Sequence, residues 1–226
     1  MIYKAIVLKD HVTSFLGFDA LAASTSEYIE PFDAITPDEV KGYMKRFGLT
    51  WRYPNRNRRT DIATGLRLSP YPTKDPAKRI ACALSHYMLW RECSDSGEPM
   101  VILEHDAIFL REIDFDISTT SFQIIGLNDP RGATRLSQKF HEEVQKKRPD
   151  KFTPAPWIDD PMVPQGIAGN SAYIITPEGA DRMIALVNEH GLWPNDAIMC
   201  KQLVSRLAVT TQYYTKVQGL QSTTSN

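Results

Sequence analysis

Met100-Val-Ile-Leu-Glu-His-Asp-Ala107 is the stretch on which the reading of this chain turns. Met100 to Leu103 is a short, wholly apolar run with a Gly97-Glu98-Pro99 break in front of it, which predicts a strand buried on both faces. It stops abruptly at Glu104-His105-Asp106. Strand residues i and i+2 share a face, so Glu104 and Asp106 are expected to converge on one point. In open α/β sheets ligands sit beyond the carboxyl ends of the strands. A carboxylate pair in that place suits a hard divalent cation that bridges phosphate oxygens. The plain alternative is a charged strand end that only starts a loop.

The surroundings place this strand in an α/β fold. Upstream, Pro76 to Cys93 predicts a helix with Ile80, Ala83, Leu84, Tyr87 and Met88 on one face. At the start of the chain, Tyr3 to Leu8 reads as a buried strand, Val12 to Ala23 as a helix and Glu27 to Phe32 as a second strand. Thr36-Pro37-Asp38-Glu39 then opens a helix that should stop at Gly48. Downstream, Phe122 to Leu127 reads as a strand, and His141 to Arg148 as a charged helical piece. Gln165 to Thr176 has β character around closely spaced glycines, and Pro177 to Glu189 is a helix. A further helix runs from Pro194-Asn195-Asp196 to Leu207, with a last strand at Ala208 to Val217. Alternating strands and helices predict a parallel-rich sheet flanked by helices. Residues 50–76 and 128–162 have no period and many Pro, Asn and Arg, and loops this long are usually functional or mobile.

The segment Arg79-Ile-Ala-Cys-Ala-Leu-Ser-His86, a helix, and then Val101-Ile-Leu-Glu-His-Asp-Ala-Ile108 resembles the signature of glycosyltransferase family 25, the lipooligosaccharide and procollagen galactosyltransferases. Members read G-E-I-G-C-A-L-S-H and, about fifteen residues on, L-E-D-D-A. Looser similarity continues through Lys4 to Leu8, Phe32-Asp33-Ala34, Gly169-Asn-Ser-Ala-Tyr-Ile-Ile175, Pro194-Asn-Asp196, and Val217-Gln218 followed by Ser222. The resemblance implies a GT-A-like single domain over residues 1–226, with a mixed, mostly parallel sheet. Residues 50–76 and 128–162 would be variable acceptor-side loops, and 219–226 a flexible tail. It further implies a UDP-sugar donor, Mn²⁺ (or Mg²⁺) held by an acidic motif, and inversion at the anomeric carbon.

Under this resemblance Glu104 and Asp106 take the outer positions of the acidic motif, as metal and donor ligands. His105 stands where the family usually has Asp; its side chain is expected on the opposite face, so its identity need not abolish metal binding. Asp196 takes the place of the base that removes the acceptor proton, although Asn195 or Asp196 could simply cap the helix. His86 is placed near donor or metal, and Asp33 near the nucleotide. Cys82 reads as small core filling.

Arg52, Arg56, Arg58 and Arg59, interleaved with Trp51 and Tyr53, read either as a solvated loop or as a lid gripping an acceptor's phosphates. That keeps a phosphate-bearing glycan, a lipopolysaccharide core or a hydroxymethylated DNA base open as acceptors. Nucleic acid is not favoured, because 26 Lys+Arg against 27 Asp+Glu leave a net charge of −1 and no basic field. Two other readings stand beside the enzyme: a silent relative that binds sugar or nucleotide, supported by His105, and a metal-dependent phosphohydrolase. At 226 residues, 42% hydrophobic and 23% charged, the chain reads as a soluble globular protein. Three cysteines without CxxC spacing and no signal peptide point to the cytoplasm.

Overall fold

The computed structural model describes residues 1–133 and 136–220; the similarity at Ser222 and the end of the 219–226 tail lie outside them. The strands are β1 (Ile2–Val7), β2 (Glu30–Asp33), β3 (Arg59–Thr60), β4 (Arg67–Leu68), β5 (Met100–Glu104), β6 (Ala107–Phe109), β7 (Ile124–Gly126), β8 (Phe152–Pro154), β9 (Ala172–Ile175), β10 (Leu207–Thr210) and β11 (Thr215–Val217). The helices are α1 (Val12–Ala22), α2 (Val40–Arg46), α3 (Pro76–Ser96), α4 (Ser137–Gln145), α5 (Pro177–His190) and α6 (Asn195–Ile198).

Seven strands form the central sheet in the order β2-β1-β5-β9-β7-β10-β8. β2, β1, β5, β7 and β10 run one way, while β9 and β8 run against them. This is the mixed, mostly parallel α/β architecture expected from the alternation of elements. Both faces are dry, which is why the central strands are apolar at successive positions. Ile6, Met100, Ile102, Tyr173 and Ile175 pack under α3 and α5 with Leu84, Trp90, Met183 and Leu186. Tyr3, Ala5, Val7, Val101 and Leu103 face the other way, toward Leu21 of α1 and the β6–β11 ladder. Lys4 is the buried exception, with its ammonium 2.7 Å from both Glu30 and Glu92. Among the described residues no helix is long and apolar enough to cross a membrane.

Local chemistry sets the ends of α3. The Asp75 carboxylate accepts from the Ala77 N–H at 2.9 Å, Pro76 occupies the first turn, and Gly97 closes the helix at φ +69°. Pro76 and Gly97 are the start and stop expected from the sequence, and the Asp75 cap is added by the structure.

Several expected boundaries move. α6 ends at Ile198 rather than Leu207, because the chain turns back at Cys200 to meet Gly166 in a β-bridge. The single last strand divides into β10, which joins the sheet, and β11, which crosses to pair with β6. Residues 50–76 are not structureless: Arg59–Thr60 pairs with Arg67–Leu68, and Tyr53, Leu66 and Leu68 anchor the excursion in the core.

Candidate active site

One cavity of about 800 Å³ opens at the carboxyl edge of the parallel strands, within the size range of small-molecule sites. Ile6 and Leu8 close β1, Ala34 and Ile35 follow β2, and Glu104, His105 and Asp106 follow β5. Gln165 to Ser171, Cys82, Ser85 and His86 of α3, and Asn195 and Asp196 of α6 complete the lining. The structure thus brings Glu104, Asp106, His86 and Asp196 together from three distant parts of the chain.

It does not bring Asp33 there. That carboxylate lies on the surface, 2.5 Å from the Lys9 ammonium, and only its neighbours Ala34 and Ile35 reach the cavity. None of Arg52, Arg56, Arg58 and Arg59 lines the cavity either; the Arg59 guanidinium donates to the Arg52 carbonyl, and the cluster is exposed. His105 borders the cavity at the turn that follows β5, with its imidazole toward α1, where a Cβ on Gly17 would lie 3.3 Å from His105 Cδ2. One further expectation needs correction. Cys82 faces the cavity rather than filling the core, with its sulfur 3.9 Å from Asn195 Oδ1.

His86 has defined partners. The Trp90 indole N–H donates to the Tyr173 hydroxyl at 2.8 Å, that hydroxyl lies 2.9 Å from His86 Nδ1, and His86 Nε2 lies 3.3 Å from Glu104 Oε1. An indole can only donate and an ionised carboxylate can only accept. A neutral imidazole therefore carries its proton on Nε2, donates to Glu104 and accepts from Tyr173. Burial alone would push the Glu104 carboxyl up, but the His86 hydrogen bond, with the His105 and Arg79 charges, holds it below the usual carboxylate range. The relay fixes both the direction and the charge of Glu104. Tyr173→Phe should orphan two buried groups, the Trp90 N–H and His86 Nδ1, at roughly 1–3 kcal/mol each. Its denaturant midpoint is expected to fall clearly; an unchanged midpoint would remove the relay.

Asp106 sits in a different field. Burial and the adjacent Glu104 charge raise its pKa to about 7, and its Oδ1 is buried without a hydrogen-bond partner among the described residues. The sign of the pH effect follows. Well below the ordinary Asp value of 3.8 the group is protonated folded and unfolded alike, and its contribution to stability is complete. As pH rises toward about 7 the unfolded chain releases the proton and the folded one does not, so metal-free stability declines over that window. Asp106→Asn should flatten that decline in melting temperature relative to the parent protein; parallel curves would show that Asp106 titrates normally.

Two carboxylates with hard oxygen donors, one of them holding an unpartnered buried oxygen, make a donor set that Mn²⁺ or Mg²⁺ fits. A second grouping overlaps it: Cys82, His86 and Glu104 each place a ligand atom within 4.8 Å of one another. Asp106 lies outside that trio, and its thiol member is held far from thiolate by burial first, then by the Glu104 and Asp196 charges.

Asp196 is not a helix cap. The capping position of α6 is Pro194, and no side chain caps it. Instead the Asp196 carboxylate is hydrogen-bonded by the Tyr71 hydroxyl, and the Arg79 guanidinium, which stacks 5.1 Å from the Tyr71 ring centre, lies in its field. Burial raises its pKa, and Tyr71 and Arg79 offset that only partly. Its backbone is set by Gly166, where an added Cβ would lie 2.6 Å from the Met199 carbonyl and 2.8 Å from that of Asp196. Gly166→Ala should therefore push α6 outward, costing about 1–3 kcal/mol and lowering the melting temperature; a neutral substitution would show that this contact is slack.

Tyr71 and Gln165 line the cavity with nothing in the sequence to mark them, and so do Arg79, Asn170 and Ser171, which stand in family-like segments that give them no role. A signal existed for Asn170 and Ser171, polar residues after Gly169 at the mouth of an apolar strand. What local sequence does not carry is that β9 inserts beside β5 and turns them toward Glu104.

A mixed α/β sheet with an acidic cleft at its carboxyl edge is where this class of fold places a small-molecule site. Residues 9–199 match the family model of glycosyltransferase family 25 (LPS biosynthesis protein), so the chain belongs to that family and is a glycosyltransferase. No curated protein matches it. Solved structures with partial likeness include an active-site mutant of LgtC (8% identity, TM-score 0.41, 90% of this chain and 70% of that one). Another is mouse xyloside xylosyltransferase 1 in its apo form (7% identity, TM-score 0.40, 89% and 79%). A third is a Drosophila β-galactosyltransferase mutant in complex with manganese, UDP-Gal and xylobiose (12% identity, TM-score 0.36, 100% and 68%).

Proposed function

We propose that this chain is an inverting, metal-dependent glycosyltransferase that moves a hexose, galactose or glucose, from a UDP-sugar to a hydroxyl of a glycan or phosphate-bearing acceptor. The observation that carries the reading is the meeting of Glu104, Asp106 and Asp196 around one cavity. Glu104 and Asp106 would hold Mn²⁺ or Mg²⁺, which when bound neutralises charge on the departing diphosphate. The chain's own groups do the rest. His86 holds Glu104 ionised and aimed. Asp196 takes the proton of the acceptor hydroxyl as its oxygen attacks the anomeric carbon, while the bond from that carbon to the diphosphate oxygen breaks. A base whose pKa is raised by burial is the better proton acceptor. Tyr71 and Arg79 offset part of that rise.

The chain acts as a single domain in this reading, with acceptor choice in 50–76 and 128–162, which contribute Tyr71, Leu136, Phe140 and Ile158 to the cavity rim. Cys82, Cys93 and Cys200 are all unbonded, which suits a reducing, cytoplasmic setting. The test is a thermal-shift screen of nucleotide sugars with and without Mn²⁺, since a ligand that binds only the folded form raises the melting point. UDP-hexoses should stabilise the protein only with the metal; stabilisation by no nucleotide sugar would remove the proposal.

A further inference from the structure

Asn170 and Ser171 have polar groups that nothing described so far uses. They stand between Gly169 and β9, line the same cavity, and are only 7% and 5% exposed. Asn170 Oδ1, Asn170 Nδ2 and Ser171 Oγ have no hydrogen-bond partner among the described residues. The ladder fixes where they are: the Glu104 N–H donates to the Ser171 carbonyl at 2.8 Å, so the pair sits beside Glu104 at the end of β5.

An amide and a hydroxyl withdrawn from bulk water and given no protein partner forfeit the bonds water would have made, and such groups are exceptional in folded proteins. A ligand that completes them explains their presence, and their chemistry selects its class. Together they offer amide N–H donors, a carbonyl acceptor and a hydroxyl that does both. A cation would use only the oxygens and meet the amide protons unfavourably. A phosphate would use only the donors and face the Asn170 carbonyl and the Glu104 carboxylate. Sugar hydroxyls each donate and accept, and neighbouring ones on a pyranose ring match the whole set.

We propose that Asn170 and Ser171 bind hydroxyls of the donor's hexose, an assignment that rests on the reading of this cavity as a nucleotide-sugar site. Glu104 and Asp106 serve the diphosphate end, and the Asn170–Ser171 pair reads the sugar.

The experiment measures, by calorimetry with Mn²⁺ present, the affinities of UDP, UDP-galactose and UDP-glucose for the parent protein and Asn170→Ala, beside their ligand-free melting temperatures. The expected result is that N170A binds the preferred UDP-hexose about tenfold or more weakly, binds UDP as before, and melts no lower than the parent. The melting arm distinguishes recognition from architecture: truncating an amide that bonds nothing in the empty protein costs no hydrogen bond. Equal weakening toward UDP and UDP-hexose, no weakening toward either, or a lowered ligand-free melting temperature would each overturn the assignment. Ser171→Ala, which removes one oxygen and no carbon, repeats the test if N170A does not fold. If the parent protein binds no UDP compound at all, the nucleotide-sugar reading itself fails and takes this subsite with it. If the parent binds UDP but gains nothing from the hexose, only the subsite falls.

Discussion

Asp196→Asn should bind the nucleotide sugar as the parent does and lose about 10²- to 10⁴-fold in kcat, the range a positioned base supplies. The amide is close to isosteric and can still accept from Tyr71, so the wall formed by Tyr71, Arg79 and α6 is expected to stand. What it cannot do is take a proton. Because burial raises the Asp196 pKa, with Tyr71 and Arg79 compensating only in part, the parent enzyme's rate should fall on the acid side as pH drops through that raised value. The variant should lack this limb. Pre-steady-state turnover with UDP-galactose or UDP-glucose, beside calorimetric donor affinity, separates the two effects. A variant with the parent's kcat would remove Asp196 as the base. A variant that loses donor binding in proportion would make it a binding residue instead.

Glu104→Ala and Asp106→Ala should each reduce metal-dependent turnover by roughly 10²- to 10⁴-fold, the equivalent of several kcal/mol of charge stabilisation at the leaving diphosphate. The two should nevertheless differ. Glu104 is held by His86, itself fixed by Tyr173 and Trp90, so removing it also leaves His86 Nε2 without its acceptor in a fully buried ring. Loss of activity there comes with loss of stability. Asp106 has an oxygen with no partner among the described residues, and a carboxyl that burial and Glu104 already disfavour as an anion. Its replacement should cost turnover while the metal-free protein becomes no less stable above neutral pH. Denaturant unfolding of both variants measures the contrast, and equal destabilisation would contradict this division of roles.

The parts of this architecture that were legible in the sequence are those that local chemistry controls. The Pro76 start and the Gly97 stop of α3 announce themselves, and so does the apolar run of β5 breaking into Glu104-His105-Asp106. The convergence of Glu104 and Asp106 on one cavity was legible too, from the two-residue spacing at the end of an apolar strand. The misses share a cause, which is pairing over long sequence distances. β6 finds β11 more than a hundred residues away, and β8 is a three-residue strand ending in Pro154 that exists only as a partner for β10. α6 is cut short by the Gly166–Cys200 bridge, which no helix-stop residue marks. Asp33 failed to reach the cavity for a simpler reason. It is exposed, and Lys9 offered it a nearer partner.

The claim on which all of this depends is that Glu104 and Asp106 hold a divalent cation against the donor's diphosphate. Calorimetric titration of UDP into the metal-free protein, then into protein with Mn²⁺, and both again in the Glu104→Ala/Asp106→Ala double variant, tests it most directly. The expected outcome is tight binding only in the parent protein with Mn²⁺ present. UDP binding of equal strength without the metal, or undiminished in the double variant, would contradict it.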